Sequence, residues 1–112
     1  MKLKSTIDVS LNFKDLDVEN AVQRELKDTA SEIEKQAKAN APVLTGNLRN
    51  SITSDVKGLE ANIGTDCEYA GYVHDGTYRM PARPFLDSAA EKELDGIEDR
   101  IADIIARLLW LN

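Results

Sequence analysis

The sequence predicts an α+β protein, a small antiparallel β-sheet packed against two long α-helices. Three observations carry that reading. Ile7, Val9, Leu11 and Phe13 alternate with polar residues near the N-terminus, the period of a half-buried strand. Two long stripes of apolar residues recur every three or four positions, the period of amphipathic helices. Between them a glycine-punctuated segment has the length and turn chemistry of a hairpin.

Each element follows in order. The strand over 7–13 ends at Lys14-Asp15-Leu16-Asp17, where Asp17 is placed as a helix N-cap because its carboxylate can accept an orphan amide of the first turn. Val22, Leu26, Thr29, Ala30, Ile33 and Ala37 then mark one face of a helix over 18–39. Asn40-Ala41-Pro42 ends it, since proline disfavours the helical region for the residue before it. Thr45 is expected to cap a single turn running to Ser51. Ile52–Val56 and Glu60–Gly64 form a hairpin about Lys57-Gly58. Tyr69, Tyr72 and Val73 sit at helical spacing, with Asp66 as the expected cap and Gly76 as a left-handed terminus. Thr77 to Pro84 reads as an extended loop. From Phe85 one stripe, Leu86, Ala90, Leu94, Ile97, Ile101, Ile104 and Leu108, runs to the C-terminus, with a Ser88/Glu91 capping box or the competing Asp87 at its start and a kink marked at Gly96. The two long helices are expected on one face of the sheet, with Ile101 buried between them.

At 112 residues the chain is expected to form a single domain over 1–112. It is 42% hydrophobic and 30% charged, the balance of a globular protein. A formal charge of -6 argues against sequence-specific or non-specific nucleic-acid binding, which draws on surplus Lys and Arg. The one cysteine, Cys67, can make no internal disulfide, and no Cys/His cluster suggests zinc, so neither metal nor cofactor is expected. Charges interrupt the N-terminus before a signal-length apolar run forms. The stretch Ile104 to Leu111 is too short to span a bilayer and is broken by Arg107, so no membrane role is expected.

Catalytic readings are weak. His74 would have to serve as base for any Cys67 nucleophile, yet Cys67 lies seven positions away with no glycine-rich turn beside it. The favoured reading of His74 is a surface or hydrogen-bonded turn residue. The carboxylates are spread over helix faces, and the glycines are isolated and form no phosphate-binding fingerprint. No catalytic, cofactor-binding or metal-binding residue is assigned. One segment stands out. Tyr78, Arg79, Arg83 and Phe85 cluster in or beside a loop containing Pro81 and Pro84 and no acid, and aromatic residues with arginine are favoured anchors of interfaces. Tyr69 and Tyr72 are read as core residues, and Tyr78, Arg79, Arg83 and Phe85 as candidate interface residues.

The segment Ala41-Pro42-Val43-Leu44-Thr45-Gly46-Asn47-Leu48-Arg49-Asn50-Ser51-Ile52 resembles the APV-x-TG-x-LR-x-SI signature of a family of tailed-phage proteins. Ile63-Gly64-Thr65, Glu68-Tyr69-Ala70, Val73-His74-Asp75-Gly76-Thr77 and Met80–Leu86 follow in that family's order, so the resemblance runs roughly from Ala30 to Ala90. Glutamate is common in the family where His74 stands. The family is the minor tail, or head–tail joining, component of siphophages and prophages. The resemblance implies a non-enzymatic virion protein of the tail or neck, assembled in the bacterial host cytoplasm. It implies self-association into a ring, commonly a hexamer, and contact with head-closure, connector and tail-tube proteins. Two other classes remain open from the residues themselves: a small acidic protein-binding adaptor unrelated to phage, and a small hydrolase using Cys67 or His74.

Overall fold

The computed structural model describes residues 2–10, 16–42 and 46–110, with the side chains of 109 and 110 excepted. The order is β1 (Leu3–Asp8), α1 (Leu16–Asn40), α2 (Asn47–Ser51), β2 (Thr53–Lys57), β3 (Glu60–Thr65), α3 (Ala70–Asp75), α4 (Phe85–Leu94) and α5 (Ile97–Trp110). The fold is α+β, with a three-stranded antiparallel sheet ordered β1-β3-β2.

The sheet has one wet face and one dry face, as antiparallel sheets commonly do. On the outer face Lys4, Thr6 and Asp8 stand beside Glu60, Asn62 and Gly64, and the Thr6 hydroxyl donates to Asn62 Oδ1 at 2.8 Å. On the inner face Leu3, Ser5 and Ile7 meet Thr65, Ile63 and Ala61, with Ser54 and Val56 of β2 on the other side. β3 is central, and its Ala61, Ile63 and Thr65 are almost fully buried.

β1 lies four residues upstream of the strand expected over 7–13. The face is nonetheless the one expected, because the inward positions keep the parity of Ile7. The six residues of β3 limit the ladder, which runs from Leu3↔Thr65 to Asp8↔Glu60 and closes with Val9 N–H donating to the Leu59 carbonyl. Leu11 and Phe13 lie outside the described residues.

α1 is the spine. At 25 residues it is about 37 Å long. Its stripe of Val22, Leu26, Ala30, Ile33 and Ala37 is buried, as its period predicts. Asp17 sits inside the first turn, not at the cap, where its charge still suits the positive end of the helix. α1 packs on the inner face of β2 and β3 and along α4. Leu48, Ile52, Ala70, Val73, Phe85, Leu86 and Ala89 close the core around its C-terminal half.

The C-terminal stripe is not one helix. It breaks at Asp95-Gly96 into α4 and α5, and Gly96 takes φ +80°, a conformation that L side chains rarely adopt. Arg100 holds the break: Nη1 donates to the Asp95 carbonyl at 3.2 Å, Nη2 to the Glu93 carbonyl at 3.1 Å, and Nε to Glu25 Oε1 on α1 at 2.7 Å. The core contribution of this half comes from α4, whose Phe85, Leu86, Ala89 and Ala90 are buried. Ile101, expected between the two long helices, is only half-buried on α5. The Ser88/Glu91 cap does not form either. α4 already begins at Phe85 with Pro84 at its N-cap, and Ser88 N–H donates to the Pro84 carbonyl within the first turn.

Candidate functional site

The segment from Thr77 to Pro84 joins α3 to α4, and both ends are held firmly. Gly76 follows α3 with φ +79° and ψ +171°. This is not the left-handed helical well expected there but a more extended region open essentially to glycine alone. A Cβ at Gly76 would lie 2.6 Å from the Ala82 nitrogen, so the loop folds back over the glycine. Thr77 and Met80 exchange backbone hydrogen bonds at 2.8 and 3.1 Å, closing a tight turn whose tip is Tyr78-Arg79. Arg79 N–H donates to Thr77 Oγ1 at 3.2 Å. Beyond the turn, Arg83 N–H donates to the Val73 carbonyl at 2.9 Å, and Arg83 Nε donates to the Asn40 carbonyl at the end of α1 at 3.1 Å. Asn40 Nδ2 in turn donates to the Phe85 carbonyl at 3.4 Å.

The candidate residues therefore divide. Tyr78 is 91% exposed, and the Arg79 guanidinium lies 5.2 Å from the centre of its ring. At an exposed site such a pairing of cation and aromatic face contributes about 0.5–1 kcal/mol. No carboxylate of the described residues forms an ion pair with Arg79. Arg83 is exposed but anchored through Nε to α1. Phe85 is 1% exposed and belongs to the core, so it offers no free surface. Its ring lies edge-on to His74, centroids 5.4 Å apart. Tyr72, expected in the core, is exposed on α3, while Tyr69 is half-buried against the core.

His74 is buried and engaged at both ring nitrogens. Nδ1 lies 3.0 Å from Asp75 Oδ1, and Nε2 lies 3.4 Å from the Asp87 backbone nitrogen and 3.5 Å from Asp87 Oδ1. It ties the last turn of α3 to the first turn of α4, fixing the two ends of the loop. The half-buried Cys67 spends its backbone N–H on Thr65 Oγ1 at 3.0 Å. The structure gives His74 a structural role and does not bond it to Cys67. Asp66 does not cap α3, whose N-cap is Tyr69, and Gly46, at φ +83°, stands at the N-cap of α2. The cap expected of Thr45 falls outside the described residues.

Sequence reasoning missed Arg100. A signal existed: a cation in the first turn of a helix opposes the helix dipole, so it calls for an acidic partner or free carbonyls close by. It also missed Asn40, whose backbone and side chain both hold the loop.

Taken together, these features define a small α+β protein that carries an aromatic-basic loop hydrogen-bonded at both ends. A family model described as "Bacteriophage HK97-gp10, putative tail-component" matches residues 8–76, and the chain belongs to this HK97-gp10-like family of phage tail components. The matched segment runs from the end of β1 to the glycine beneath the loop, so the loop, α4 and α5 lie beyond it. No curated protein and no solved structure matches the chain. Among the described residues no helix is long and apolar enough to cross a membrane.

Proposed function

We propose that the protein is a ring-forming tail-completion or neck component of a tailed phage or prophage, one that joins the tail to the head. The loop over 77–84 is its assembly surface, with Tyr78 and Arg79 as anchors and Arg83 holding the loop to α1. The observation that carries this reading is the exposed Tyr78-Arg79 tip on a loop fixed at both ends, in a chain of a phage tail-component family. A fixed loop loses little conformational entropy on binding. Arginine suits the role because its planar fork pairs bidentately with carboxylates. The ring is commonly hexameric in proteins of the kind this chain resembles. Its neighbours in the virion would be head-closure, connector and tail-tube proteins, and the fold supplies structure, not catalysis. An acidic chain facing the lumen would let DNA slide past.

The test is complementation of a phage or prophage lacking the gene. A Tyr78→Ala, Arg79→Ala double variant is expected to keep the wild-type melting temperature while losing incorporation into tails. Fully infectious particles carrying the double variant overturn the reading. A complex of fixed stoichiometry with one non-phage protein, and no incorporation of the wild-type chain, favours the adaptor instead.

A further inference from the structure

α5 buries less than its composition offers. Ile97, Ile101, Ile104, Ile105 and Leu108 are all only half-buried, whereas the stripe of α1 is almost wholly buried. Part of this face lines an open groove of about 460 Å³. Ile97, Ile101 and Ile105 line one side and Val9, just past β1, lines the other, while the exposed Asp8 and Glu98 stand at its rim.

We propose that this groove receives the 77–84 loop of a second copy of the chain, with Tyr78 laid on the aliphatic wall and Arg79 set against Asp8 and Glu98. The proposal rests on the reading of the loop as an assembly surface and adds the surface it meets. Charge selects the occupant. Among the described residues the lining of the groove includes acids and no base, and the loop holds Arg79 and Arg83 and no acid. In a chain of net charge -6 most encounters between copies repel, and the basic loop against the acidic rim is an attractive one. Groove against groove would set Asp8 and Glu98 of each copy near their like in the other. That argues against a symmetric pairing of α5 with α5.

Placement makes the contact one between copies. The loop is pinned through Arg83 to Asn40, at the C-terminal end of α1. α5 is pinned through Arg100 to Glu25, fifteen positions earlier, or about 22 Å along the helix axis. The other wall of the groove comes from residues that precede α1 altogether. A chain cannot place its loop in its own groove, so each copy offers one loop and one groove. Such a contact joins different patches on the two copies, and repeated head to tail it closes into a ring when the rotation allows.

Two measurements on tails assembled in the complementation system decide it. The first uses charge reversal. Arg79→Glu and Glu98→Arg are each expected to lower incorporation by about tenfold or more, and the two together to restore it. If Arg79→Glu incorporates like wild type, the reading of the loop itself fails. If Arg79→Glu blocks incorporation while Glu98→Arg neither blocks nor restores it, the loop docks elsewhere and only the groove proposal falls. The second uses a Tyr78→Cys, Glu98→Cys chain in a Cys67→Ser background whose melting temperature matches the parent. Mild oxidation is expected to give a ladder of disulfide-linked multimers of this chain, lost on reduction. Absence of a ladder overturns the proposal. So does linkage of position 98 only to itself, or only to a different tail protein.

Discussion

Gly76 and Gly58 both have positive φ, +79° and +57°, yet they answer to different constraints. At Gly58, in the hairpin turn, a Cβ would meet nothing within 4 Å, so Gly58→Ala carries only the backbone cost, about 1 kcal/mol. At Gly76 the Cβ would also strike the Ala82 backbone, which cannot swing aside without moving the loop. Gly76→Ala is therefore expected to cost about 3 kcal/mol or more and to lower the melting temperature well below that of Gly58→Ala. Paired thermal melts check this, and equal melting temperatures would show that the loop gives way freely. Arg100 is the other residue with an outsized share of contacts. Its ion pair with Glu25 is partly exposed, which limits that bond to about 1 kcal/mol, but its two bonds to carbonyls seal the end of α4. Arg100→Ala is expected to cost about 1–2 kcal/mol in denaturant titration, and a Glu25→Ala, Arg100→Ala double variant little more, because loss of Arg100 already removes the Glu25 ion pair together with both carbonyl bonds.

At the scale of elements, the two long stripes differ in how deeply they are buried. Leu26 on α1 has no exposed surface, so Leu26→Ala is expected to cost about 2–5 kcal/mol. Ile101 on α5 is half-buried, and Ile101→Ala is expected to cost about 1 kcal/mol in the isolated chain. Urea titrations of the two variants test the difference, and equal losses would place α5 in the core. This contrast also shows what the sequence could tell. Period locates α1 and α3, because Leu26, Ile33 and Val73 sit where one helical face must be apolar, whereas the hairpin is marked by its Lys57-Gly58 turn and only weakly by alternation. Period cannot say what covers a stripe, so α5 read as core when it is half open. Period does not show the break at Gly96, because the apolar spacing from Leu94 to Ile97 continues a helical register across a turn, but the glycine itself marks that position for a kink. β1 was found one register block too far along: Leu3-x-Ser5-x-Ile7 has the right parity, but Ser5 hides the alternation, and the length of β3 decides where pairing stops. For the candidate site, the sequence located the loop and its exposed pair. The burial of Phe85 was not legible, because it depends on where α4 begins, and neither was the anchoring of Arg83, because Asn40 is distant in the chain.

The whole molecule is long. Its principal extents are 57 × 21 × 20 Å and its radius of gyration is 16.2 Å, against about 13 Å for a compact domain of similar length. The reason lies in the two helices: α1 sets a long spine, and the break before α5 directs that helix toward the opposite end from the loop. Solution scattering on the monomer is expected to give a radius of gyration near 16 Å. A value near 13 Å would mean that α5 folds back onto the sheet. Self-association is expected to weaken as salt rises, because the charges proposed to meet are exposed and the screening length falls from about 30 Å at 0.01 M to about 3 Å at 1 M. Sedimentation across that range checks it, and association that strengthens with salt would point to a contact made by apolar surface alone.

The sheet, with β3 flanked on both sides, leaves β1 and β2 as its two borders. Borders of this kind are templates on which another strand can crystallise, and strand addition has no natural stopping point. Both borders here are short, and both carry charges of each sign on the wet face, Lys4 and Asp8 on one and Asp55 and Lys57 on the other. Short, charged borders discourage strand-to-strand growth. Closing off that open-ended route suits a chain proposed to assemble with copies of itself, since it leaves helices and loops, whose contacts saturate, to make the joins.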